Sequence, residues 1–442
     1  MLIILLLVFF ILLVMGRIVY GSMKNHVSFI SLWFSFFAIL SQIRIWGMDK
    51  ADSDAVAFIM FNILAICVSC IVVSYLLKRR SACKQVLNDN KNHSSSIIER
   101  IRILVFVLSL VLSVNLIYQT ITGQIAFGNL REITYQSERF GRDTYLSIYF
   151  KPIIYQVYVN FVRGFIVFDF GLSICETLVY ETQIKSLSIL NYCLFCFIQL
   201  SRIEMVRMVI IFLLCYILSG KRFFRDFLFS RKNRTLRRAV FIALVIIIIV
   251  ASLRNYSQES LLTIAVKHFT GDFAGSYVAF GKVWSEYNSG EHVIRQGFLP
   301  YVESMLGGLS SIIVSVFNYL LGLSNISTNT MINNYTGSNI IDIGLGYSFN
   351  AFYTMYCAPL LSGGYFGCLF SSISWGLLLG ITNNRFSTNR SVGNMWRYAY
   401  VITTIIFGLT NYPLQSIASW VTLGLTFALQ RENVRLVYLN LI

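Results

Sequence analysis

Residues 55–77 read AVAFIMFNILAICVSCIVVSYLL and stop against Lys78-Arg79-Arg80. A hydrocarbon core about 30 Å thick is crossed by roughly 20 apolar residues in helix, so this uncharged stretch reads as a membrane span with a basic flank. Outward from it, windows of the same kind recur at 2–16, 27–46 and 103–122. Shorter or more polar windows follow at 154–175, 186–201, 205–220, 239–253, 361–381, 395–411 and 416–430. Together they predict an all-α, polytopic integral membrane helix bundle of about eleven transmembrane helices, or about twelve to thirteen if 304–323 also crosses.

Composition agrees. Of 442 residues, 56% are apolar and 13% charged, whereas an ordinary soluble domain carries roughly 25% charged residues, which excludes a soluble globular chain. Four prolines and 28 glycines leave no low-complexity stretch of any size. The start, Met1-Leu2-Ile3-Ile4-Leu5, has no basic flank, and no small-x-small cleavage site precedes Gly16-Arg17, so it reads as a retained span.

The net charge of +16 would suggest a nucleic-acid partner until its placement is read. Residues 78–102 hold Lys78, Arg79, Arg80, Lys84, Lys91, Arg100 and Arg102 against Asp89 and Glu99. Residues 221–238 hold Lys221, Arg222, Arg225, Arg231, Lys232, Arg234, Arg237 and Arg238 against Asp226. These two loops carry most of the excess and mark the cytoplasmic side, where anionic lipid headgroups are the partner and no nucleic acid is needed. The N-terminus, the acidic turn Asp49 to Asp54, residues 123–151 and the stretch 254–348 then fall outside, and the segment from Arg431 returns inside. Arg254, Lys267, Lys282 and Arg295 are outnumbered in 254–348 by Glu259, Asp272, Glu286, Glu291, Glu303 and Asp342, which suits that side.

The chain thus divides into an N-terminal membrane bundle, 1–253, with about eight spans, a large outer loop, 254–348, and C-terminal membrane helices, 349–442. Loops of that length are uncommon unless functional. Within this one, Leu306, Leu309, Ile313, Phe317 and Leu320 repeat at helical spacing, predicting an amphipathic or re-entrant helix near 304–323. Of the nine cysteines, none lies in 123–151 or 254–348, so no structural disulfide is expected. Cys67-x-x-Cys70 and Cys193-x-x-Cys196 have redox or zinc spacing but sit in apolar helices, where a thiol behaves as a small hydrophobe.

The sequence has no phosphate-binding glycine loop with Lys-Ser/Thr, no His-Glu-x-x-His and no nucleophile elbow, so ATP-driven transport and zinc hydrolysis lose support. Charges in or beside outer span ends stand out, because charge near hydrocarbon is costly and marks function. Arg163 and Asp169 lie in 154–175; Arg202, Glu204 and Arg207 open the next short window but one. Arginine offers a planar fork of donors suited to phosphate oxygens, the competing role being snorkelling to headgroups or, for Arg163, pairing with Asp169. The outer stretch adds Arg254, Lys267-His268, Asp272, Glu286, His292, Arg295 and Glu303, most simply a solvated face but also a source of cations and bases. Asp52-Ser53-Asp54 reads as an ordinary turn before it reads as a paired-acid site. Gly363-x-x-x-Gly367 and Gly376-x-x-x-Gly380 argue close helix packing.

The run Thr336-Gly337-Ser338-Asn339 through Gly344-Leu345-Gly346-Tyr347-Ser348-Phe349-Asn350, followed by Gly363-Gly364-Tyr365-Phe366-Gly367 and Gly376-Leu377-Leu378-Leu379-Gly380, resembles the C-terminal signature of bacterial O-antigen and oligosaccharide repeat-unit polymerases. The layout is similar along nearly the whole chain, the local sequence only over about 335–380. Where many members carry an Asp before the glycine element, this chain has Ser362, so no acidic role passes to that position. The resemblance implies a multi-pass glycosyltransferase of the bacterial inner membrane, working on its periplasmic face in lipopolysaccharide O-antigen biosynthesis. It would move a glycan from undecaprenyl pyrophosphate onto a second carrier-linked repeat unit, so that one oligosaccharide-lipid is donor and another acceptor. It further implies no metal and no cofactor, with a chain-length regulator and a flippase of the same pathway as partners. Carried onto this chain, pyrophosphate binding falls to Arg202 and Arg207, with Arg163, Arg254 and Arg295 as further positions. The general base falls to His268, Asp272 or Glu303, in that order. A lipid-linked oligosaccharide flippase and the ligase joining finished polymer to lipid A core are the competing functions; the long outer stretch and the lack of visible repeats disfavour the flippase.

Overall fold

A computed structural model describes residues 2–20, 25–80, 96–122, 152–180, 185–199, 201–220, 261–290, 294, 300–338, 341–344, 348–349 and 353–439. The helices are α1 (Leu2–Tyr20), α2 (His26–Gln42), α3 (Ser53–Arg80), α4 (Ser96–Ile121), α5 (Pro152–Val157) and, after a π-helical turn at Tyr158–Val162, α6 (Arg163–Tyr180). They continue as α7 (Ser186–Gln199), α8 (Arg202–Leu218), α9 (Leu261–Ser289), α10 (Pro300–Leu306), α11 (Gly308–Leu321) and α12 (Thr328–Ser338). After a two-residue antiparallel pair, β1 (Ile341–Asp342) with β2 (Ser348–Phe349), come α13 (Cys357–Thr388), α14 (Val392–Phe407) and α15 (Ile417–Leu439). The described chain is therefore helical but for that pair. Four stretches, Ser53–Leu77, Ile97–Gln119, Ile154–Tyr180 and Cys357–Thr388, are long and apolar enough to cross a membrane. The basic loop 221–238, most of the loop before Ser96, the outer stretch 123–151 and the window 239–253 lie outside the described residues.

The chain forms two compact units, neither continuous in sequence. The first takes residues 1–85, 266–388 and 401–416; the second takes 86–265, 389–400 and 417–442. This division cuts across one made by loops and spans, because helices find partners distant in sequence.

In the first unit α13 lies along α3, and the small residues of its second glycine pair explain how. A methyl placed on Gly376 would come within 2.4 Å of the Ile66 carbonyl oxygen, and one on Gly380 within 2.9 Å of the Cys70 carbonyl oxygen. The two backbones are in contact there, the geometry that small-x-x-x-small spacing permits in apolar surroundings. Gly363 and Gly367 do different work: both face the ring of Tyr301 on α10. Between them Gly364, at φ +60°, breaks the helix, a conformation costly for any residue with a Cβ.

Residues 261–289 form a helix of 29 residues, about 43 Å long, where the sequence predicts loop. Phe269, Phe273, Tyr277, Phe280 and Trp284 recur every three or four positions and make one aromatic stripe. Phe273 stacks on Phe37 at 5.0 Å and meets Trp33 edge-on at 5.1 Å, while Phe280 and Trp284 meet Phe58 of α3. Lys267, Asp272, Lys282 and Glu286 dilute its hydropathy without breaking that stripe. At 304–323 the chain is broken by Gly307 (φ +51°) into α10 and α11, and the 14 residues of α11 span about 21 Å, short of a bilayer core. Ile313, Val316, Phe317 and Leu320 are exposed on it.

The second unit packs through close approaches of its own. Gly171 of α6 meets the fully buried ring of Trp396, which a methyl there would approach to 2.0 Å. Gly164 lies against the backbone of α15, where Thr422 Oγ1 donates to its carbonyl oxygen at 3.0 Å. Arg102, which belongs by sequence to the basic loop, is instead inside α4 and 3% exposed. Its Nε and Nη2 donate to Asp169 Oδ2 and Oδ1 at 2.9 and 2.6 Å. Ser188 Oγ donates to Asp169 Oδ2 at 2.6 Å, and Asn191 Nδ2 donates to the Arg102 carbonyl at 3.1 Å. This pairing displaces the Arg163–Asp169 pair considered from sequence: six positions apart on one helix, those two side chains point in different directions.

Candidate anion site on α6 and α8

The sequence Ser201-Arg202-Ile203-Glu204 opens α8 with the spacing of a capping box. Half of that device is used. Ser201 Oγ accepts the Glu204 N–H at 3.4 Å, but the Ser201 N–H donates to the Cys196 carbonyl at 3.3 Å. The Glu204 carboxylate is thereby left for other donors, and two arginines take it. Arg163 Nη2 donates to Oε1 at 2.8 Å; Arg207 Nη1 donates to Oε1 at 2.7 Å and Oε2 at 2.9 Å. Tyr192 Oη makes a longer bond to Oε2, at 3.4 Å.

Arg207 reaches Glu204 because residues three apart share a helix face. Arg163 reaches it from α6. Just before Arg163 the π-helical turn Tyr158–Val162 inserts an extra residue, which rotates everything after it by about 100° relative to an uninterrupted helix. Tyr158 is tied to Ser109 of α4 at 3.0 Å, so the turn is anchored where it changes phase. The Arg163 guanidinium also lies 5.7 Å from the centre of the Phe195 ring, a cation–π distance.

Glu204 is buried, while the Arg163 and Arg207 side chains are 15% and 19% exposed. Two guanidiniums thus share one buried carboxylate at the edge of apolar helices, where ionisable side chains are costly and mark function. Arginine stays protonated under all physiological conditions, and its fork matches phosphate as well as carboxylate. The triad therefore fixes two guanidiniums close together, a donor chemistry that suits phosphate oxygens.

The other residues singled out in the sequence fall as follows. Arg202 is the first residue of α8 and His268 lies in α9; the side chains of both are outside the described residues, as are Arg254, His292 and Arg295 altogether. Asp272 is buried on α9 next to Phe273. Glu303 is buried and occupied structurally: its Oε2 accepts from Thr328 N at 2.8 Å and Thr328 Oγ1 at 2.9 Å, capping α12. Asp52 Oδ1 accepts the N–H groups of Asp54 and Ala55 at 2.9 and 2.8 Å, so it caps the start of α3, in keeping with a turn role. The candidate bases belong to the first unit, Arg163 and Arg207 to the second. Glu204 was visible in the sequence only as a charge among others; its Ser-x-x-Glu spacing was the signal that it begins a helix, and the arginines give it a second role. Cys67 and Cys70 are fully buried, with His26 Nε2 3.1 Å from Cys70 Sγ, and the described cysteines are all free thiols. No family model, no curated protein and no solved structure matches the chain.

Proposed function

We propose that the protein is an O-antigen polymerase, a glycosyltransferase of the bacterial inner membrane that acts at its periplasmic face. It transfers a growing glycan from its undecaprenyl pyrophosphate carrier to the terminal sugar of a second carrier-linked repeat unit. The observation that carries this reading is the convergence of Arg163 and Arg207 on the buried Glu204. Two fixed guanidiniums beside apolar helices suit a ligand that is a diphosphate at one end and a polyprenyl chain at the other. In the transfer an acceptor hydroxyl oxygen bonds to the anomeric carbon and gives its proton to a general base, while the carbon–oxygen bond to phosphate breaks and negative charge grows on the leaving diphosphate. Donors already oriented toward that charge lower the barrier more than mobile ones. The resemblance of 335–380 to repeat-unit polymerases supplies the choice of reaction.

The test is the glycan profile of a strain lacking the gene. A single repeat unit capping lipid A core supports polymerisation, and its absence moves the assignment to flippase or ligase. Complementation with Arg207→Ala, present in the membrane at wild-type amount, is expected to leave the single-unit product. Wild-type ladders from that variant would remove Arg207 from the mechanism.

A further inference from the structure

The glycine-aromatic run Gly363-Gly364-Tyr365-Phe366-Gly367 does more than bend a helix. Its break at Gly364 admits the Tyr287 hydroxyl, which a methyl there would approach to 2.5 Å. Tyr365 then packs into a cluster from three helices of the first unit: Trp284 at 5.4 Å, Tyr287 edge-on at 5.6 Å and Phe58 at 5.6 Å between ring centres. Tyr365 is nonetheless 45% exposed, and Trp284 and Tyr287 are half-buried.

Polar groups border these rings. Tyr365 Oη donates to Asn288 Oδ1 at 2.5 Å, and Tyr335 of α12 donates its hydroxyl to Glu286. Burial and the bond to Glu286 push the Tyr335 phenol above its ordinary value. The cluster lies beside the first turns of α3. Tyr277 of α9 lies near Met60 and Gly281 against Asp52, so α9 runs antiparallel to α3 and its last residues pass beyond the start of α3. Asp52 and Asp54 there mark the end of the apolar window.

We propose that Trp284, Tyr287 and Tyr365, with Glu286, Asn288 and Tyr335 around them, form a binding site for a pyranose glycan, the acceptor chain of the transfer above. A pyranose presents C–H groups on its faces and hydroxyls around its edge. The first suit the electron-rich face of an aromatic ring and the second suit a carboxylate, an amide and a phenol side by side. Trp and Tyr also gather at headgroup depth as membrane anchors, but here the rings pack on one another and Glu286 beside them opposes anionic lipid. Since the choice of acceptor rests on the proposed function, binding and polymerisation are measured separately.

The probe is O-polysaccharide released by mild acid from the parent strain, titrated calorimetrically into the full-length protein in nanodiscs of phosphatidylethanolamine and phosphatidylglycerol. Binding by the wild type, weakened at least tenfold in Tyr365→Ala and in Trp284→Ala and less than threefold in Tyr365→Phe, supports the site. If Tyr365→Ala does not assemble, Asn288→Ala, at an exposed helix position, is expected to weaken binding about threefold. No binding by the wild type, or equal affinity in the Tyr365 and Trp284 alanine variants, overturns it. So does fluorescence quenching by brominated lipid that Trp284→Phe abolishes, since Trp284 would then face the bilayer. Arg207→Ala is expected to bind the glycan normally. Long ladders in the deletion strain would refute the polymerase function and leave the binding result standing on its own.

Discussion

At the scale of single residues the membrane sets the terms, because a charge without a partner there is far more costly than in water. Arg102 and Asp169 satisfy each other with two parallel bonds, and Ser188 takes part of the remaining acceptor capacity of Asp169. Asp169→Asn is expected to destabilise the protein by about 3 to 5 kcal/mol, because it strands a buried guanidinium, whereas Arg102→Met with Asp169→Leu recovers most of the loss. Thermal unfolding of the three proteins in detergent checks this, and equal midpoints for Asp169→Asn and wild type would refute it. Glu204 differs in holding two arginines. Glu204→Gln removes the charge that both share, so it should lower the proposed polymerising activity at least tenfold while the protein stays in the membrane. Ladder length on gels reads the effect. The sequence showed these charges but not their pairing. Arg102 is 67 positions from Asp169 and Arg163 is 41 from Glu204, distances over which no local spacing rule reports a contact.

Among the elements, those whose stabilisation is written in hydropathy were readable, and α3, α4 and α13 carry apolar stretches long enough to predict. The helix α9 was not, since its four charges pulled down the mean while its aromatic stripe, the feature that docks it on α2 and α3, was spread over 16 residues. The π-helical turn ahead of Arg163 was also hidden, because it arises from packing and no residue type marks it. The glycine pairs were legible as close contacts but not as to partner: one pair meets a backbone and the other an aromatic ring. Gly376→Leu should therefore force α13 from α3 and lower the amount of folded protein severalfold, with a cost of about 1 to 3 kcal/mol or more. Gly424, with open space where its Cβ would be, makes the comparison, and Gly424→Ala should leave the amount unchanged. Detergent-extracted yield by size-exclusion chromatography separates the two.

For the whole molecule, sidedness is the property on which the functional reading turns, and it rests on the basic loops at 78–102 and 221–238. Reporter fusions are expected to place both loops in the cytosol and a fusion after residue 290 on the opposite side. Cytosolic signal from the last of these would end the periplasmic placement proposed for the glycan site. The interleaving of the two units has a further consequence, for the order of biosynthesis. The first unit needs both α3 and the much later α13, and the second needs α15, the last of the described helices. Roughly 280 residues separate the end of α3 from the start of α13, and at ~5–20 residues per second a ribosome takes about a quarter of a minute to a minute to make them. Throughout that interval α3 is in the bilayer with its glycine-matched face uncovered, so a nascent chain interrupted before α13 is a substrate for membrane proteolysis rather than a smaller working protein.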